Sequence, residues 1–189
     1  YARRDFPAEN HVSFLSPHHK FGTISVRETF YSISNESFRR QLYWRDFFTL
    51  HLFFHPDNLN SNFLRVYDKF PWEWDEVKFR KWSQAETGFP IIDAGLRQLV
   101  QTGYMHNRVR LIVASFLCKD LRIHWKEGEK FFAKNLIDYD PAVNNGNWQW
   151  CAGTGLDALP AFRIFNPWLQ QKKFDPNADY IKTWIPELR

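Results

Sequence analysis

The stretch "TGFPIIDAGLRQLVQTG", residues 87–103, runs without a break into "YMHNRVRLIVASFLCKDLRI", residues 104–123, and these two segments decide the fold. In the first, Pro90 suits an opening turn, Ile92, Leu96, Leu99 and Val100 recur at helical spacing, and Gly103 suits a C-terminal cap. In the second, Met105, Val109, Ile112, Val113, Phe116 and Leu117 form an inward stripe, leaving Asn107, Arg108 and Arg110 to other faces or to a buried polar site. Upstream, "SFRRQLYWRDFFTLHLFFH" (37–55) places Phe38, Leu42, Phe48 and Leu52 on recurring positions, with Asn35 as N-cap and Pro56 as stop. Shorter helices are expected near 23–33, 76–83 and 128–136. No alternating strand pattern, internal repeat or low-complexity linker competes. The expectation is an all-α class, with residues 1–189 forming a single helical domain.

A chain of 189 residues with 44% hydrophobic content is large enough to bury one core. Its formal charge of +4 permits a polyanionic partner without requiring one. The anomaly is aromatic: 9 Trp, 7 Tyr and 19 Phe bring the ring content to 19%. Most of these rings belong in a core, yet so many indoles invite a second use. Two cysteines, Cys118 and Cys151, are too few for a disulfide framework and favour a reducing compartment, cytoplasm or nucleus, over secretion. The longest apolar run, "FFTLHLFF" (47–54), is too short and too polar to span a membrane.

Several motifs fail on their own chemistry. His51 and His55 stand at i and i+4, but no glutamate or third ligand accompanies them, so no metal is expected. "DYDPAVNNG" lacks the glycine a calcium loop needs at its sixth position, where Val143 stands. No phosphate-cradling glycine loop is present. Two features survive. Gln41, Trp44, Arg45 and Phe48 share one helical face, which reads either as packing beside a solvated arginine or as a platform for a flat ligand with Arg45 at its anionic edge. In "LIDYDPAVNNGNWQW" (136–150), Asp138 and Asp140 lie between apolar neighbours and need a partner, which Arg108, Arg110 or a polar ligand could supply. The end of that segment reads on composition as a polar turn beside two core indoles, Trp148 and Trp150.

The stretch from "TGFPIIDAGLRQLV" through "LIDYDPAVNNGNWQWCAGTGLDALPAFRIFNP", together with "RDFPA", "LSPHHKFG", "QLYWRDFF" and "WIPELR", closely resembles the flavin-binding helical domain of the photolyase/cryptochrome family. The resemblance covers nearly the whole chain. It implies FAD held in a U-shape within an all-α domain, and light-driven electron transfer from reduced flavin to a cyclobutane pyrimidine dimer in UV-damaged DNA. Cryptochrome-like photoreception without repair is the alternative, and a nucleic-acid binder that has lost FAD is a third.

By the same resemblance, Val12, Ser13, Phe14, Leu15 and Ser16 would lie along the FAD pyrophosphate and ribityl chain. Asp138, Tyr139 and Asp140 would contact the ring systems, Arg110 would pair with Asp138, and Phe38, Gln41, Arg45 and Asn107 would complete the cofactor contacts. Asn144 matches the residue facing flavin N5, whose identity tunes the cofactor. Trp148, Trp125 and Trp72 match an electron-transfer chain, with Trp74 a rival for its exposed end. Trp44 and Trp150 match the aromatic walls around a flipped-out dimer, with Gln41, Asn107 and Arg108 at its polar edge. Arg4, Arg45 and Gln170 fall on the DNA side, and Arg39, Arg40, Arg163 and Lys173 are candidate backbone contacts.

"MHNR" and Leu111 resemble the dimer-specific members rather than those acting on (6-4) photoproducts. Two positions depart from the pattern: Gln41 stands where most dimer-specific members have glutamate, and Val12 where a threonine would bond a phosphate. The family's N-terminal α/β antenna domain has no counterpart in these residues, so a short form or an excised domain is expected, acting as a monomer without a membrane.

Overall fold

The computed structural model describes residues 1–9, 11–156 and 163–188. Residues 157–162, within the last part of the long matching stretch, lie outside the described residues. Among the described residues ten α-helices follow one another: α1 Ser16–Phe21, α2 Val26–Ser32, α3 Glu36–Phe54, α4 Glu76–Ser83, α5 Pro90–Thr102, α6 Asn107–Ser115, α7 Trp125–Asn135, α8 Pro141–Ala152, α9 Pro167–Phe174 and α10 Asp179–Trp184. Among the described residues there is no strand, only an isolated bridge between Glu73 and Ile123.

The two deciding segments form the centre of the core. α5 starts on Pro90 and ends at Gly103, whose φ of 70° is the left-handed cap that an L side chain resists. Asp93, buried in its first turn, accepts from the backbone of Thr87 and Gly88 and from the Thr87 hydroxyl, tying the preceding loop to the helix. Ile91, Ile92, Leu96 and Leu99 are buried against Met105, Val109, Ile112 and Val113 of the next segment. At about 1.5–3 kcal/mol for each fully buried side chain of this size, that contact is a major contribution to stability.

The segment 104–123 differs from one continuous helix. His106 caps α6, its Nδ1 accepting from the Arg108 backbone 3.2 Å away, so the helix begins at Asn107. After Ser115 the chain widens into a π-turn over Phe116–Asp120, with Phe116, Leu117 and Cys118 all buried. The wider turn continues the buried face of α6, carrying Phe116, Leu117 and Cys118 into the core. α3 keeps the expected bounds, with Asn35 capping Phe38 at 3.0 Å, but buries only Phe38, Leu42 and Phe48; Leu52 is half-buried.

The largest departure is at 141–152. The polar turn expected around "NNGNWQW" is the middle of α8, started by Asp140, whose Oδ1 accepts from Ala142 and Val143, and by Pro141 at its first position. The three asparagines fit a helix because tertiary partners hold two of them: Asn145 donates to the Asn58 carbonyl and Asn144 to Glu129. α8 packs against both α7 and α3, and it brings the chemistry-bearing residues of the C-terminal half to face those of the N-terminal half.

Candidate functional site

A cavity of about 730 Å³ opens between α3, α6, α8 and the N-terminal segment. Its apolar lining includes Leu42, Phe48, Phe132 and Trp148, and Val12 to Ser16 line it together with Asp138, Tyr139, Asp140 and Asn144. Phe38, Gln41, Trp44, Arg45, Asn107, Arg108, Arg110, Trp150 and Arg4 also line it. Residues from every matched segment that were expected at the cofactor therefore meet around one space. Trp125, Trp72 and Gln170 do not line it. The volume falls within the range of cofactor and ligand pockets.

The carboxylate chemistry is specific. Asp138 Oδ2 receives Arg110 at 2.9 Å and the Ser16 hydroxyl at 2.6 Å, and the Asp138 side chain is only 4% exposed. Arg110 is steadied further by its Nε donating to the Met105 carbonyl at 2.7 Å and by the Tyr104 ring beneath the guanidinium. This selects Arg110 over Arg108. Asp138 Oδ1 is buried with no partner in the protein. An acceptor left bare in this way needs a donor from a ligand, and an N–H or O–H of a flavin nucleotide is a chemical match. The donor set and the apolar lining thus fit FAD.

The loop 12–16 contributes by conformation as well as by polarity. Phe14 adopts φ 54°, unusual for a residue with a side chain, and packs its ring 5.3 Å from Tyr104. Ser13 Oγ accepts from the Leu15 backbone. Both expected hydroxyls are thus already engaged, each with lone-pair or donor capacity remaining. Burial raises the Tyr104 hydroxyl above its ordinary range, with the Arg110 charge opposing that shift.

Sequence reasoning missed Glu129. Its Oε1 accepts from Asn144 Nδ2 at 3.0 Å and from the Tyr139 hydroxyl at 3.2 Å. Burial, followed by the Glu129 charge, pushes the Tyr139 hydroxyl up to about 12. Nothing in "KEGEKFF" marks this glutamate off from its solvated neighbours; only the α7–α8 packing does. That packing requires Gly128, where an added Cβ would lie 2.2 Å from Trp148 Cη2, and on the other side of α8 Gly146, where it would lie 2.2 Å from Phe48 Cδ1. Phe48 in turn stacks on Trp44, with centroids 6.0 Å apart.

The tryptophans take part in two sets of ring contacts. Trp148, 2% exposed, contacts Phe132 at 4.9 Å and Trp82 at 6.4 Å. Trp82, fully buried and unremarked in the sequence, stacks on Phe79, which packs against Trp74, 61% exposed. Trp125 is fully buried, donates Nε1 to Asn62 at 2.7 Å, and connects through the His124 ring to Trp72.

Other expected residues have different surroundings. Arg108 pairs with Asp5 at 3.0 Å and packs over Phe174, so its charge is already partnered at the cavity wall. Arg39 is turned into the α2–α3 contact, donating to the Phe30 carbonyl and Glu36 and lying over the Phe30 ring. Its guanidinium is thus partnered within that contact. Gln170 sits on α9 with Oε1 buried and without a partner. His51 Nε2 accepts from the Asn58 amide at 2.8 Å, and among the described residues no three ligating side chains stand together. No helix among them is long and apolar enough to cross a membrane.

The family model for the FAD-binding domain of DNA photolyase matches residues 38–189. The deoxyribodipyrimidine photo-lyase of Alkalihalophilus pseudofirmus is 49% identical over 195 aligned positions, covering 99% of this chain and 41% of its own length. The crystal structure of an archaeal photolyase from Sulfolobus tokodaii, described with two FAD molecules, superposes with a TM-score of 0.96 at 55% identity, covering 99% of this chain and 44% of that one. A Synechocystis cryptochrome superposes with a TM-score of 0.88 at 39% identity, over 95% of this chain and 39% of that one. The chain thus spans less than half the length of these relatives. The match across residues 38–189, carried by the same helices that build the cavity, shows that the chain belongs to the family of FAD-binding domains of DNA photolyase, with FAD as its cofactor.

Proposed function

We propose that this chain performs the light-driven repair of cyclobutane pyrimidine dimers in DNA, as a single helical domain and a monomer. One observation carries the reading: Trp44 and Trp150 line the same cavity as Asn144 and Trp148. A pyrimidine dimer flipped out against these indoles would therefore lie beside the residues that face the cofactor. The chemistry the flavin supplies is a light-driven one-electron donation to the dimer, with recovery of that electron after the ring has opened.

The protein's part is placement and electrostatics. Arg110, Asp138 and Ser16 hold the bare Asp138 Oδ1 toward the cofactor. Glu129 takes up Asn144 through its Nδ2, which leaves Asn144 Oδ1 for the cavity side. Phe48, Phe132 and Trp148 exclude water from the apolar lining, which strengthens every polar contact beside them. Gln41 at the rim can both accept from a pyrimidine N–H and donate to its carbonyl, whereas a carboxylate there could only accept. Arg4 and Arg40, at the cavity rim, are suited to DNA phosphates, so affinity should fall as salt rises. Trp148, Trp125 and Trp72 would return oxidised flavin to its working state by passing electrons inward.

The test is binding selectivity. Trp44→Ala and Trp150→Ala should each weaken binding to dimer-containing DNA by about tenfold or more, given about 1–3 kcal/mol per stacked base, while binding to undamaged DNA changes little. Equal losses on both DNAs would contradict the pocket. The cryptochrome likeness supports a second reading, photoreception without repair, and selective binding without turnover would favour it.

A further inference from the structure

The geometry points to His124 as an electrostatic gate on the electron path, its neutral ring permitting charge to pass between Trp125 and Trp72 and its protonated ring opposing it. This inference rests on the electron-chain reading given above. His124 lies between the two indoles: its ring centroid is 5.1 Å from that of Trp72 and 5.5 Å from that of Trp125. The arrangement is built into the fold. The bridge between Glu73 and Ile123, closed by Glu73 N–H donating to the Arg122 carbonyl at 2.9 Å, sets the two segments side by side, so Trp72 and His124 fall next to one another.

The ring's orientation is fixed from the other side. His124 is the N-cap of α7, and its Nδ1 accepts from the Lys126 backbone at 3.1 Å. Accepting through Nδ1 requires a lone pair there, so protonation at that nitrogen breaks the cap as well as adding charge. The charged groups facing the ring are Lys126, Glu127 and Lys130 from α7 and Asp68 from the turn Arg65–Lys69, while Glu73 and Arg122 pair with each other at the bridge. Burial, then the nearer lysine, holds the imidazole below its ordinary range, so it is neutral at neutral pH.

The step is a one-electron exchange. Trp125, oxidised by Trp148, is reduced by one electron from Trp72, leaving Trp72 as the radical cation until a soluble thiol or similar one-electron reductant restores it. Imidazole is harder to oxidise than indole, so the hole does not rest on His124. An imidazolium between the two rings repels the positive charge on either one, and at such short range in a half-buried site that repulsion is strong.

The test combines two measurements on the same 189 residues. NMR of the cofactor-free protein gives the titration midpoint of His124 directly. Transient absorption of the FAD-loaded protein then follows the decay of the Trp125 radical cation against pH. The account expects this rate to fall about tenfold or more as pH drops through that midpoint, and expects the fall to vanish in His124→Asn, which keeps a side-chain cap but cannot titrate. A rate independent of pH across the His124 titration, or the same fall in His124→Asn, would overturn the gate. Circular dichroism checks that the variant folds, and His124→Asp serves as the second capping variant. Absence of any tryptophan radical at every pH would instead overturn the electron chain itself, a different failure.

Discussion

Asn144 Nδ2 donates to Glu129 Oε1 at 3.0 Å, across the contact between α8 and α7. The Glu129 backbone carbonyl lies on the same side, 3.4 Å away, so both neighbours are acceptors and fix which end of the amide faces them. Oδ1 is consequently the end available to the cavity.

Replacing Glu129→Gln removes the charge while keeping an acceptor. Tyr139, held at about 12 by burial first and Glu129 second, should titrate lower but still above 10, because burial remains. The sign follows from linkage: a pKa raised in the folded state gives stability that is present below about 10 and lost as pH rises toward about 12. NMR titration of Tyr139 checks the shift. An unchanged midpoint would show that the Glu129 charge does not act on it.

His106 makes the opposite prediction. Burial lowers it to about 4, so it is neutral in the native protein and must charge on acid unfolding. Its contribution is present above about 6.5 and lost as pH falls toward 4, amounting to roughly 3 kcal/mol. His106→Asn, which keeps a capping side chain, should flatten the stability curve across that window in urea titrations.

Asp138→Asn should reduce stability by about 2–4 kcal/mol and release FAD, since it leaves the Arg110 guanidinium without its carboxylate in a largely buried site. Thermal melting and the flavin content of the purified protein measure the two losses separately. A variant that melts earlier but retains full flavin would place Asp138 in the scaffold alone.

Gly128→Ala and Gly146→Ala should each destabilise by roughly 1–3 kcal/mol through overpacking, but with different functional signatures. The first displaces Trp148 and should slow photoreduction of oxidised flavin; the second displaces Phe48, on which Trp44 stacks, and should weaken selectivity for damaged DNA. Transient absorption and binding assays distinguish them.

The legible parts of the sequence were those whose signal is local. Pro90 and Gly103 bound α5, and Asn35 and Pro56 bound α3, because caps and breakers act within a turn. α8 was not legible, because its asparagines and glycine disfavour a helix locally and are compensated by Asn58, Glu129, Phe48 and the Asp140 cap. Helical spacing put Gln41, Trp44, Arg45 and Phe48 on one face, whereas the cavity residues Val12 to Ser16 and Asn144 followed from matching motifs. Glu129, Trp82 and His124 were invisible as functional residues, since their significance lies in contacts across helices.

The most direct measurement of the central claim is light-dependent dimer loss. The protein is loaded with FAD, reduced, mixed with DNA carrying a single cyclobutane pyrimidine dimer and illuminated with blue light, beside a dark control. The account predicts restored pyrimidine monomers in the light and none in the dark. Bound dimer left intact after illumination, with the flavin reduced throughout, would contradict it.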